Sequence, residues 1–127
     1  MKNLLSALLL VTVLSSCSLS INYSTKGKID VPQKNIYAVS YQAQFDENTS
    51  AKISYLDENG KKQKIKQVTG TWKKVVMLGP GGKGHIKVTA KGNKARGEFK
   101  VLVDDKVISE YILTNKKVVY GLNFDLP

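Results

Sequence analysis

The sequence predicts an all-β fold: a single antiparallel β-sandwich, immunoglobulin-like, of about seven to eight strands, placed after an N-terminal signal helix. Three observations carry this expectation. From Ile36 onward, apolar and polar residues alternate with a period of two, the pattern of strands with one buried face. Turn-forming clusters recur at roughly ten-residue spacing, as sandwiches and barrels require. No segment after residue 16 holds a helical period. A closed barrel is the competing architecture.

The chain divides into residues 1 to 16 as a signal peptide, 17 to 34 as a tether, and 35 to 127 as the β-domain. Met1-Lys2-Asn3 puts one positive charge ahead of an apolar run from Leu4 to Leu14, broken only by Ser6 and Thr12. A helix of about eleven residues would cross only about half of a ~30 Å hydrocarbon core, so the run suits a signal and not a permanent span. Residues 18 to 34 mix small and polar types without sustained period, with one short strand allowed within Ile29 to Val31.

The strands follow in order. Tyr37, Val39, Tyr41, Ala43 and Phe45 alternate with polar or small neighbours until Asp46-Glu47-Asn48 breaks the run. Ala51 to Leu56 and Lys61 to Val68 flank Asp57-Glu58-Asn59-Gly60, where Asn-Gly offers the positive backbone angles of a tight hairpin. Lys62, Lys64 and Lys66 fall on one face of the second of these strands, and Ile65 on the other. Thr71 to Leu78 carries Trp72, the only tryptophan. A glycine-rich stretch from Gly79 to Gly84 interrupts regular structure. His85 to Lys91, Gly97 to Val103, Lys106 to Thr114 and Val118 to Leu126 complete the set. Gly92-Asn93, Asp104-Asp105 and Asn115-Lys116 are expected as the turns between them.

Leu14-Ser15-Ser16-Cys17 stands at the end of the apolar run: a branched residue, two small ones and a cysteine. It resembles the lipobox of bacterial lipoproteins. That resemblance implies cleavage between Ser16 and Cys17, a thioether lipid on Cys17 and acylation of the new N-terminus. Cys17 is the only cysteine, so no internal disulfide can form, and lipidation would account for an unpaired thiol in an exported protein. Two or three acyl chains hold a protein on its membrane where one gives only marginal binding.

The formal charge is +10, and nearly all of the basic residues are lysine, Arg96 being the only arginine. Such a balance suits anionic surroundings: lipid headgroups, lipopolysaccharide, wall polymers or an acidic partner. Base readout and bidentate phosphate recognition favour arginine, so nucleic acid is not expected as a partner.

Several stretches together resemble one family. Ile53-Ser54-Tyr55-Leu56-Asp57-Glu58-Asn59-Gly60 comes first in the order, then Val68-Thr69-Gly70-Thr71-Trp72-Lys73-Lys74-Val75-Val76. Gly84-His85-Ile86-Lys87-Val88-Thr89-Ala90 follows, and then Gly97 through Ile108. This order is similar to the small mycobacterial transport accessory proteins called MmpS, over most of residues 37 to 110. The resemblance implies a β-domain working beside a large lipid-exporting transporter. The chain departs from the pattern in three ways: a lipobox replaces the membrane helix, the cysteine pair of many members is missing, and Asp105 stands where glycine is usual.

Candidate chemistry is thin. His85 is the sole histidine and has no cysteine or second histidine nearby, so no metal site is expected. Gly79-Pro80-Gly81-Gly82-Lys83-Gly84 lacks the Gly-Lys-Ser/Thr ending of a phosphate loop and leads into a strand, not a helix. The pairs Asp57-Glu58 and Asp104-Asp105 could suggest acid–base work, but both fall at hairpin turns, where aspartate suits the backbone. Trp72 with Tyr37, Tyr41, Tyr55, Tyr111 and Tyr120 could form a sugar or lipid platform, and their alternation favours the core.

Three functional expectations result. The first is a non-catalytic, lipid-anchored cell-envelope protein on the periplasmic side of the outer membrane, acting as an interaction or transporter-accessory module. Its partners would be the membrane, through the lipid anchor, and a membrane transporter or other envelope protein. The second is a binding module for an anionic envelope ligand (lipid headgroup, lipopolysaccharide or polysaccharide) through Lys62, Lys64, Lys66, Lys73 and Lys83. The third is a hydrolase with an unrecognised site. No cofactor is expected.

Overall fold

A computed structural model describes residues 18 to 127; the signal helix, the cleavage after Ser16 and the lipidation of Cys17 lie outside the described residues. Seven strands run in chain order: β1 (Leu19–Lys28), β2 (Tyr37–Phe45), β3 (Ser50–Leu56), β4 (Lys62–Val68), β5 (Thr71–Leu78), β6 (Lys83–Val103) and β7 (Lys106–Asp125). The all-β expectation is met. The strands form one hydrogen-bonded sheet in the order β1-β7-β6-β2-β5, with β3 and β4 branching from β6.

Two strands are far longer than expected, and they shape the fold. At about 3.3 Å per residue, a straight strand of β6's length would reach roughly 70 Å, too long for a domain of this size. The β6–β7 hairpin therefore bends. Its register slips between Lys91 and Ala95, where Gly92-Asn93-Lys94 of β6 face Lys116 alone on β7. Gly92-Asn93 and Asn115-Lys116, expected as turns, are this bulge and its counterpart on β7.

The bend divides the sheet into two facing layers. The first comprises β1, the late half of β7, the early half of β6, β3 and β4. The second comprises the early half of β7, the late half of β6, β2 and β5. Across this irregularity the inward positions of β6 change from even to odd numbers. Ile86, Val88 and Ala90 are buried before it, and Ala95, Phe99, Val101 and Val103 after it.

Aromatic rings join the layers. Tyr55 of β3 meets Tyr41 of β2 at 6.3 Å and Trp72 of β5 at 5.7 Å between centroids. Phe99 and Tyr120 stack at 4.7 Å, and the Phe45 ring meets Phe99 edge-on. Tyr37, Tyr41, Tyr55 and Tyr120 are thus core residues, with Trp72 packed at the margin; Tyr111 stays exposed but touches Tyr120. The Tyr120 hydroxyl shares a 2.7 Å hydrogen bond with buried Ser109, so its polar tip is not stranded.

The N-terminal segment departs most from expectation. Residues 19 to 28 are not tether. They form β1, which runs parallel to β7 from Leu19 opposite Lys117 to Lys28 opposite Asp125. This one parallel pair qualifies the antiparallel expectation. Leu19, Ile21 and Tyr23 alternate with Ser20, Asn22 and Ser24, but here the apolar side is outward and exposed while the polar side is half buried. Ile29 then closes the core, and its amide donates to the Asp125 carbonyl.

Candidate functional site

Residues paired directly across neighbouring strands point to the same face. On the outer face of the first layer this collects lysines from four strands. Lys64, Ser54, Lys87, Gly121 and Tyr23 form one row across β4, β3, β6, β7 and β1. Lys52, Thr89, Val119 and Ile21 form the next row. Lys91, Lys117 and Leu19 form a third. Lys52, Lys62, Lys64, Lys66 and Lys87 line an open groove of about 560 Å³. Among the described residues the ion pairs join Lys34 to Asp104, Arg96 to Asp46 and Glu98, and Lys100 to Glu110. None engages a lysine of this face.

The five lysines singled out from sequence do not all meet. Lys62, Lys64 and Lys66 share the groove. Lys83 lies at its end, lining a neighbouring hollow with Lys62 and His85. Lys73 sits in the other layer, opposite Gln42, and does not join them. Lys52 and Lys87 complete the cluster. Alternation already turns Lys87 outward with His85 and Thr89; that β3 lies between β4 and β6 was not legible.

His85 is tied into the sheet. Its amide donates to the Tyr41 hydroxyl at 3.0 Å, and its Nδ1 is hydrogen-bonded to Asn123 Oδ1. An amide oxygen only accepts, so Nδ1 is the donor here, and Nε2 is buried without a partner among the described residues. Burial pushes the Tyr41 phenol up to about 12, against the opposing effect of the His85 amide. Asn123 also donates to the Tyr23 hydroxyl at 3.1 Å, linking His85 to β1.

The paired carboxylates are held by their turns. Asp57 Oδ1 accepts from the amides of Asn59 and Lys61, both at 2.9 Å, and Oδ2 accepts from Gln63. The bond to the Lys61 amide, then that to Gln63, holds this carboxyl below its ordinary range. Only Gly60 takes a positive φ here, +74°, and the Asp57 amide donates to the Lys61 carbonyl, so the β3–β4 connection is a three-residue loop ending in a glycine bulge and not the two-residue Asn-Gly type. Asp104 and Asp105 both have positive φ, 47° and 67°, and make the two-residue hairpin from β6 to β7. Asp104 Oδ1 accepts from the Ala38 amide at 3.0 Å, and its Oδ2 lies 3.2 Å from Lys34 Nζ. The Ala38 bond foremost, then Lys34, lowers its pKa.

The glycine-rich stretch is a tight turn bonded to the chain's last residues. Gly82 donates to the Gly79 carbonyl, Leu126 donates to the Gly82 carbonyl, and Gly81 donates to the Pro127 carbonyl. Its amides are thus engaged with protein carbonyls. Among the described residues no group of three or more His, Cys, Asp or Glu could hold a metal, and no helix is long and apolar enough to cross a membrane.

Fold and face define a small all-β domain with one broad basic surface, edged by exposed apolar residues. The family described as Mycobacterium membrane protein matches residues 7–121, which is most of the chain, and the protein belongs to that family. The strand and turn resemblance to MmpS accords with this assignment. A comparison with curated proteins finds no match.

Proposed function

We propose that the protein is a lipid-anchored, non-catalytic module of the cell envelope that works as an accessory to a membrane transporter. Membership of a membrane-protein family is the observation that carries this reading. The site geometry supports it. Asp57 and Asp104, the strongest candidates for acid–base work, spend their oxygens on turn amides and on Ala38. The anchor would be Cys17, two residues before β1 begins. Since β1 is hydrogen-bonded to β7 from its first residue, the lipid would attach to the folded domain almost directly and hold it close to the bilayer.

Crosslinking in the envelope followed by identification of the captured protein tests the partnership. A transporter subunit is the expected capture, and its consistent absence overturns the accessory role. Mass analysis of the N-terminal peptide tests the anchor. The native chain should begin at an acylated Cys17, and Cys17→Ser should abolish both processing and lipid. An unmodified Cys17 on a chain cut elsewhere defeats the reading.

A second reading, an anionic-ligand module, is favoured by the convergence of Lys52, Lys62, Lys64, Lys66 and Lys87 on one groove.

A further inference from the structure

We infer that the outer face of the first layer is a membrane-docking surface that lies against an anionic phospholipid leaflet. The inference deepens the anchored reading above and rests on it only for the position of Cys17. Three observations on this face point the same way. Leu19, Ile21 and Tyr23, on the outward side of β1, are 42%, 59% and 45% exposed. They form a continuous apolar strip along one edge of the sheet, immediately after the cysteine. Beside the strip, in register with it, lie Lys117, Lys91, Lys87, Lys52 and Lys64. None of these has an ion-pair partner among the described residues. The only carboxylate in the rows of this face is Asp125, at the far end, opposite Lys83 and Lys28. Asp57 and Glu58 lie beyond, in the β3–β4 turn.

An apolar edge flanked by unpaired lysines is the chemistry of surfaces that bind an acidic bilayer. The apolar residues enter the boundary between headgroups and acyl chains, and the lysines lie over the headgroup phosphates. Lysine suits this role because a headgroup layer presents diffuse charge and asks for no fixed bidentate geometry. The edge is also built to hold its shape. The Tyr23 ring lies directly on Gly121, where any Cβ would come within 2.1 Å of it, and Asn123 fixes its hydroxyl. The outer face of the second layer differs. It exposes Val75, Met77, Val107 and Ile112, but its charges are of both signs, with Lys100 paired to Glu110 and Arg96 to Glu98, and Lys73 stands beside them. Nothing there selects an anionic surface.

The test uses the full chain attached to vesicles of phosphatidylcholine, with or without a roughly one-third share of phosphatidylglycerol. Ile21→Trp and Ile112→Trp place reporters on opposite outer faces at equal exposure, 59% each. Bromine on the acyl chains quenches tryptophan at the boundary. The unaltered chain gives the background from Trp72. With the anionic lipid, Ile21→Trp should lose about half of its emission while Ile112→Trp keeps its own. The loss should fade at high salt and in Lys64→Glu/Lys87→Glu. An equal fraction of emission lost by both reporters overturns the inference and points to an acidic protein as the partner of this face. Quenching that ignores salt, charge reversal and lipid charge overturns the role of the lysines. The mass of the N-terminal peptide reads the anchor separately. A chain with unmodified Cys17 that still shows salt-sensitive quenching refutes the anchor and keeps the docking face.

Discussion

Asp105 sits at a φ of 67°, a region that costs a residue with a Cβ roughly 1 kcal/mol or more. The resemblance to MmpS expects glycine there. Asp105→Gly should therefore raise stability, offset in part by the greater freedom of glycine in the unfolded chain. A net gain of up to about 1 kcal/mol is expected as a higher denaturant midpoint at unchanged slope. Its neighbour Asp104 tolerates the same conformation for a different reason, since its carboxylate holds the Ala38 amide and faces Lys34. Its pKa is lowered in the folded state. The stability this provides is complete above the ordinary aspartate value of about 3.9 and is lost as pH falls through the folded value. The stability difference between the native chain and Asp104→Asn should shrink as acid is added, followed by denaturation at each pH. A constant difference would mean that the amide bond, and not the charge, is what matters.

Among the elements, β1 is the one that alternation failed to find. Its alternation covers only Leu19 to Ser24 and turns the apolar side outward, and its partner lies about a hundred residues further along the chain. A local pattern cannot register a parallel pairing at that distance. The Tyr23 contact with Gly121 now gives β1 a point of weakness. Gly121→Ala would place a methyl group inside the Tyr23 ring and displace it. The cost should be about 1–3 kcal/mol, and amide exchange should speed up in β1 before the rest of the sheet. Exchange that rises evenly across all strands would show that β1 is not an independent element. The other strands were legible for opposite reasons. In β2, in both halves of β6 and in the late half of β7, one face is buried, and period-two alternation records that burial residue by residue. What alternation missed was continuity, because a bulge and a turn draw on the same small and polar residues.

At the scale of the whole molecule, buried phenols make the fold sensitive to alkali. Burial pushes Tyr41 and Tyr120 each up to about 12, while the unfolded chain ionises near 10. The stability stored in keeping them neutral is intact below pH 10 and is lost as pH rises from 10 towards 12. Unfolding by alkali should accordingly track a late, cooperative rise in tyrosinate absorbance, and Tyr120→Phe should move that transition upward. Tyr120→Phe also gives up the Ser109 bond, so its stability at neutral pH should fall by about 1 kcal/mol.

By itself the sequence determined the class of fold, the inward residues of most strands and the turn roles of Asp57 and Asp104. These depend on contacts within a strand or across one turn, and side-chain chemistry encodes them locally. It also supplied the family resemblance and the expectation of an anchor at Cys17. Only the tertiary structure decided that two strands run through both layers, that β1 is sheet and not tether, and that Lys73 parts company with Lys62, Lys64 and Lys66. Those outcomes rest on which strands pair across long stretches of chain. Pairing of that kind is fixed by the packing of the whole core around Phe99 and Tyr120, which no single segment contains.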